Sequence, residues 1–292
     1  MMPIRAVKGM NDILPEEIRR WQRIEATFRS TVALYGYDEV RTPLVEPTAL
    51  FVRSIGEATD VVDKEMYSFE RHSESLTLRP EGTAGAARAF VEHSRHAKEA
   101  VTRWFYIGAM FRAERPQRGR YRQFHQAGCE IYGDPGPVCD AEMIAMLADF
   151  LVRLGIANLR IQVNSIGGAE SRDRYRDALL AFFRPKLELL SEHARERLEK
   201  NPLRVLDSKD PRDRAACEGA PSVLEYLVEE DQRHWKGVRR ALDSMQVTYE
   251  VTPGLVRGLD YYTRTLFEIT AASGELGTQN ALCGGGRYDK MI

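Results

Sequence analysis

The chain has 292 residues, enough for one large domain or two modest ones, and its 43% apolar and 29% charged content excludes a disordered or collagen-like polymer. With 42 basic against 43 acidic side chains the net charge is −1, so there is no general attraction to nucleic acid and any RNA contact must come from local patches. No run of about 18 apolar residues occurs and the amino end lacks a secretory apolar stretch, so a soluble cytoplasmic protein without membrane association is expected.

Taken in order, Pro15 in a first turn, apolar residues at Ile18, Trp21, Ile24, Phe28, Val32 and Tyr35, and Gly36 as a stop predict an amphipathic helix that packs on a sheet. The following YDEVRTPLVEP predicts a strand ended by Pro43. Residues 54–69 are acidic and aperiodic, and read as a mobile loop over a pocket. Residues 66–80 predict a hairpin with a polar five-residue turn, after which PEGTAG opens a helix at about Gly82. Glu81 and Thr83 therefore sit at a strand-to-helix junction. An acid there either caps the helix or accepts hydrogen bonds from a bound ammonium group.

Residues 103–132 read as a long antiparallel hairpin, two aromatic and β-branched runs around a loop with Pro116 and Gly119. Between Arg112 and Arg122 lie five arginines (Arg112, Arg115, Arg118, Arg120, Arg122) against the acid Glu114, so positive charge is concentrated locally. Such a loop is either a solvated tip or a grip for phosphate, since guanidinium forks pair with phosphate and carboxylate oxygens two at a time. Gln126 and Glu130 are four apart on the return strand, and with Gly128 they share a face that is a poor core and a good polar floor.

Further on, Asp140 reads as the cap of a helix carrying Met143, Ile144, Leu147, Leu151 and Leu154, stopped by Gly155; LRIQVNSIG then reads as a strand. Residues 169–247 turn charged and helical, with apolar periodicity through Tyr175, Leu179, Phe182 and Phe183 and again through Leu224, Leu227, Trp235, Val238 and Leu242. Strands resume at TYEVT and TLFEIT, bracketing RGLDYYTRT. No GxxxxGK[ST] loop is present, so any nucleotide would be held by arginines and strands. Cys129, Cys139, Cys217 and Cys283 are too scattered for a zinc site or a disulfide framework, and no resident metal is expected. The fold class is α+β: a mostly antiparallel sheet flanked by helices over 1–168, a helical insertion over 169–247, and the core resuming over 248–292.

The stretch FRAERPQRGRYRQFHQAGCE resembles motif 2 of the class II aminoacyl-tRNA synthetases in the form found in histidyl-tRNA synthetases. LRPEGTAG at 78–85, RGLDYYTRTLFE at 257–268, GGGRYD at 284–289 and the opening RAVKGMNDILPEE at 5–17 are similar to the same family in the same order. The resemblance implies an enzyme that activates L-histidine with ATP and Mg²⁺ and passes it to tRNA(His), working as a homodimer through the first helix and strand, which correspond to motif 1. It implies Arg112 and Arg257 at the reacting phosphate. Histidine would be held by Glu81, Gly82, Thr83, Arg112, Gln126, Glu130, Arg257, Tyr261 and Tyr262. ATP would be held by Arg112, Glu114, Arg120, Tyr121 and Phe124, and tRNA by Gln117 and Arg122. The family's motif 3 and anticodon-binding domain are not matched, so the chain is expected to be a fragment of its kind. The competing expectation is a non-catalytic, synthetase-like regulatory subunit of ATP phosphoribosyltransferase.

Overall fold

A helix whose apolar residues recur every three to four positions opens the described chain. The computed structural model describes residues 4–56, 59, 61–116, 119–206, 208, 210–257, 261–271 and 281–291; Gln117, expected to meet tRNA, lies outside them. Helix α1 (Pro15–Ala33) buries Phe28, Thr31 and Val32, and Phe28 packs edge-on at 6.0 Å from Phe105 and 5.0 Å from Phe150. The strand expected after it is broken. Only β1 (Asp38–Glu39) and β2 (Val45–Pro47) form, because Pro43 between them cannot donate to a ladder. Helix α2 (Thr48–Ile55) follows directly on Pro47.

The segment expected to be a loop instead holds a π-helical turn at Val61–Glu65, with Val61 and Val62 packed on Phe51 and Ile55 of α2. Strands β3 (Tyr67–Arg71) and β4 (Glu74–Leu78) form the next hairpin, and its turn is two residues, not five. His72 and Ser73 both adopt left-handed backbone (φ 48° and 65°), the twist that a two-residue hairpin connection needs. Pairing thus reaches the polar residues Arg71 and Glu74, which had read as turn. Helix α3 (Thr83–Glu92) then starts immediately after Gly82, as expected.

Strands β5 (Thr102–Phe111) and β6 (Gln123–Tyr132) pair antiparallel over ten residue pairs, Thr102 opposite Tyr132 and Phe111 opposite Gln123. Helix α4 (Pro137–Arg153) and strand β7 (Leu159–Ser165) come next. Among the described residues four α-helices follow: α5 (Ala169–Phe183), α6 (Glu192–Lys200), α7 (Pro211–Ala216) and α8 (Glu229–Ser244). Strands β8 (Glu250–Val251), β9 (Thr263–Ala271) and β10 (Ala281–Arg287) complete the order. Among the described residues the sheets run β1-β5-β6, β10-β9-β7-β8 and β2-β4-β3, all antiparallel except β1 on β5 and β8 on β7.

Two faces of α4 back two of these sheets. Ala141, Ile144 and Leu151 join Ile161, Val163, Phe267 and Ile269 of β7 and β9, while Met146 joins Phe28, Val32 and Phe105. The helical segment divides in its packing. Residues Tyr175, Leu179, Phe183, Leu198 and Val205 gather around their own core, whereas Trp235, Val238 and Leu242 of α8 belong to the sheet core against α4. Burying these side chains supplies about 1.5–3 kcal/mol each, which is what holds both sheets on α4.

Asp140 does not cap α4, whose N-cap is Gly136. Its carboxylate instead accepts from Arg287 Nη2 at 2.7 Å and from the Thr265 hydroxyl at 2.5 Å. Arg287 also donates to the carbonyl oxygens of Asp134 (3.1 Å) and Gly136 (2.8 Å), so this buried guanidinium clamps β10 onto the start of α4. With α4 backing both sheets and Arg287 tying β10 to its first turn, the β5-β6 hairpin and the β9-β10 pair are fixed on two sides of one cleft.

Candidate active site

The cleft is a cavity of about 910 Å³ whose lining includes Glu81, Thr83, Arg112, Gln126, Gly128, Glu130, Arg257, Tyr261, Tyr262, Gly284 and Tyr288. The even spacing of Gln126, Gly128 and Glu130 does put them together as its floor. Arg112 arrives from the end of β5 and Arg257 from the segment before β9, 145 positions later in the chain. Gly82, Glu114, Arg120, Tyr121, Arg122 and Phe124 do not line the cavity.

Glu130 is buried at the heart of the floor. The Tyr106 hydroxyl donates to its Oε1 at 3.1 Å and the Tyr288 hydroxyl donates to its Oε2. Burial disfavours the charged form and outweighs those donors, so its carboxyl is raised to about 7, with the charge of Glu81 adding to the rise. Neither tyrosine was foreseen as a neighbour of Glu130. Tyr106 sits in an apolar-looking run, and Tyr288 lies in GGGRYD, a motif that names it without showing where it points. Tyr106 is directly opposite Gly128 in the hairpin register. A Cβ at either Gly82 or Gly128 would come closer than 3.0 Å to its ring, so both glycines make room for the tyrosine. Packing on Tyr106 is the role the structure gives Gly82.

Glu81 is also buried, and of its two alternatives the structure shows the cap. Its Oε2 accepts from the Thr83 amide at 2.6 Å and its Oε1 from the Ala84 amide at 2.9 Å, which caps α3. Each carboxylate oxygen keeps a further lone pair, and Glu81 lines the cavity. Burial raises its carboxyl above the ordinary range, opposed by the two amides and then by the charge of Arg112. The Thr83 hydroxyl lies 3.4 Å from that of Tyr106.

Arg112 is anchored by Nε to the Pro80 carbonyl at 2.9 Å and lies over the Phe124 ring at 5.1 Å, with its Nη1 3.9 Å from Glu114. Phe124 in turn packs against the cluster of Ala86, Tyr106 and Met110. Arg120 pairs with Glu114 at 2.9 Å, and Arg122 Nε donates to the Glu114 carbonyl at 3.2 Å, so Glu114 organises the arginine-rich loop. Tyr121 is exposed. Arg257 pairs through Nη1 with Glu268 at 2.6 Å, and Tyr261 stacks at a tilt on Tyr262, ring centres 4.6 Å apart. Burial raises both of their hydroxyls, so both stay protonated donors at neutral pH. Among the described residues no three His, Cys, Asp or Glu side chains gather as for a metal ion, and no helix is long and apolar enough to cross a membrane.

Two guanidinium groups can meet negative charge from different directions, while acceptors at Glu81 and Glu130 can take donors of a small polar molecule. This floor, built on an antiparallel hairpin and backed by helices, is arranged as the resemblance to the class II aminoacyl-tRNA synthetases implies. The family model described as Histidyl-tRNA synthetase matches residues 9–292. A curated relative, the histidine–tRNA ligase of Sorangium cellulosum, is 62% identical over 291 residues, covering 100% of this chain and 68% of its own length. The apo histidyl-tRNA synthetase of S. aureus superimposes with a TM-score of 0.79 at 35% identity, over 99% of this chain and 67% of that one. A protein of Bacillus halodurans, titled as an ATP phosphoribosyltransferase regulatory subunit/histidyl-tRNA synthetase, shares the fold (TM-score 0.71, 24% identity, 100% and 77% covered). The chain belongs to the histidyl-tRNA synthetase family.

Proposed function

We propose that the chain carries out the chemistry of a histidine–tRNA ligase: the carboxylate of L-histidine attacks the α-phosphate of ATP to give histidyl-adenylate and pyrophosphate, and the terminal ribose hydroxyl of tRNA(His) then takes the histidyl group. The observation that carries this reading is the convergence of Arg112 and Arg257 on the cavity that Glu81 and Glu130 also line. Negative charge grows at phosphorus in the transition state, and cations already in place stabilise it.

In this reading Arg112 and Arg257 flank the reacting phosphate and histidine carboxylate. Glu81 and Thr83 accept from the α-ammonium group beside Gly82 and Gln126. A neutral imidazole presents one donor and one acceptor, met by the Glu130 carboxylate and the Tyr262 hydroxyl, with Tyr261 lining the side. Glu114, Arg120, Tyr121 and Phe124 serve ATP with Arg112, while Gln117 and Arg122 meet the tRNA end. Mg²⁺ arrives with the ATP phosphates, which bind it with few protein ligands. We further assign the catalytic core to 1–168 and 248–292 with the insertion between, a cytoplasmic location, and a homodimer joined through α1 and the segment after it. The exposed apolar side chains Ile24, Leu34 and Leu44 support that surface.

The test is histidine-dependent exchange of labelled pyrophosphate into ATP. Exchange supports the ligase; its absence with retained histidine binding supports the regulatory-subunit reading, and RNA binding alone supports neither. Within the same assay Arg257→Ala is expected to lower the exchange rate by about 10²-fold or more while histidine binding stays within about tenfold, because its work is at phosphorus. An unchanged rate removes Arg257 from the reaction.

A further inference from the structure

The geometry points to Glu268 and Gly284 as the seat that positions Arg257, one supplying charge and the other supplying room; the inference rests on the role just given to Arg257. The two are directly opposed in the antiparallel pairing of β9 and β10. Residues opposed in this way present their side chains on the same face of a sheet. On that face Glu268 projects a carboxylate that takes Arg257 Nη1 at 2.6 Å. Its partner projects nothing, and the guanidinium lies in that gap: a Cβ on Gly284 would stand 2.5 Å from Nη1, 2.7 Å from Cζ and 2.9 Å from Nη2. Among the described residues Arg257 Nε is buried without a partner, so the Glu268 contact is what fixes the plane of the fork.

Gly284 is therefore needed for a reason unlike that of most glycines. Its φ is not in the left-handed region, so the strand itself would accept alanine. In a strand, alanine is ordinarily the better residue, because glycine loses more backbone entropy on folding. The obstacle is the far end of a flexible side chain, which can swing away without disturbing the core. Gly284→Ala should then leave the fold intact and move Arg257. Glu268→Gln keeps the shape and one acceptor and removes the charge, which weakens the hold on the guanidinium without adding bulk.

The experiment measures histidine-dependent pyrophosphate exchange and thermal unfolding in the intact enzyme for Gly284→Ala, Glu268→Gln, Arg257→Ala and the double variant Gly284→Ala/Arg257→Ala. The expected result for Gly284→Ala is a melting temperature within about 2 °C of the parent, a kcat lower by about 30-fold and a histidine KM within about threefold. Glu268→Gln loses about tenfold in kcat with the same KM pattern. If Gly284 acts through Arg257, the double variant falls no lower than Arg257→Ala, since a positioning residue has nothing left to position. A normal kcat for Gly284→Ala beside a crippled Arg257→Ala, or losses that multiply in the double variant, overturns the seat and leaves the role of Arg257 standing. A normal kcat for Arg257→Ala sinks both.

Discussion

Glu130→Gln is expected to lower kcat/KM for histidine by about 10³-fold and, at pH 8, to make the protein harder to unfold. The first effect follows from charge. A carboxylate accepts from an imidazole N–H with a strong, charge-assisted hydrogen bond, whereas a glutamine offers one neutral acceptor and, beside it, an amide that cannot accept. The second follows from burial. The Glu130 carboxyl is raised to about 7 from an ordinary 4.5, so folding costs free energy once the group must ionise inside. The sign is unambiguous: the folded form holds its proton longer than the unfolded chain, so stability is full below 4.5 and declines as pH rises through 7. By pH 8 the penalty reaches on the order of 3 kcal/mol, and glutamine, which never ionises, avoids it. Denaturant unfolding of both proteins at pH 5 and pH 8 reads this directly. The advantage of the glutamine variant must grow with pH. A difference that does not change with pH would mean that Glu130 is not held near 7 by burial.

Sequence pattern located the elements that local chemistry dictates. The β5-β6 hairpin and the start of α3 after Gly82 follow from strand composition and from the residues of their junctions, and the gathering of Gln126, Gly128 and Glu130 on one face follows from a period of two. What escaped the pattern depends on partners distant in the chain. Asp140 carries the right chemistry for a cap, yet it answers Arg287, 147 positions later. Arg287, embedded in a glycine-rich signature, clamps structure while its neighbour Tyr288 reaches Glu130. Tyr106 reads as one more aromatic in an apolar strand, and nothing local says that glycines from two separate segments make room for its ring. The turn at His72 and Ser73 was overcounted because both residues take left-handed backbone that their side chains do not advertise. Helix α2 was hidden for a simpler reason: eight residues give too few turns for periodicity to declare itself.

Gly128→Ala is expected to cost about 3 kcal/mol of stability, in contrast to the harmless fold effect expected at Gly284. Neither position has left-handed backbone, so strain in the chain cannot be the cause at either. The difference lies in what the new methyl group meets. At 284 it meets the tip of an arginine that has somewhere to go. At 128 it meets the Tyr106 ring and hydroxyl at 2.3–2.6 Å, and the backbone at Gly82 already lies so near the same ring that a Cβ there would stand 2.2 Å from it. The ring is pinned besides by its bond to Glu130 at 3.1 Å and lies in a cluster with Ala86 and Met110. Overpacking of a buried, surrounded ring forces off-rotamer side chains or backbone shifts, typically about 1–3 kcal/mol, and here the upper part of that range applies because the Glu130 hydrogen bond is disturbed as well. A double-mutant cycle separates this account from a general intolerance of position 128. Tyr106→Ala removes the obstacle while leaving a void, so Gly128→Ala added to it should cost at least about 1 kcal/mol less than it does alone. The urea unfolding midpoints of the four proteins give that coupling. If Gly128→Ala destabilises equally with and without the tyrosine, the ring is not what the glycine makes room for, and the floor beneath Glu130 is held by something other than this fit.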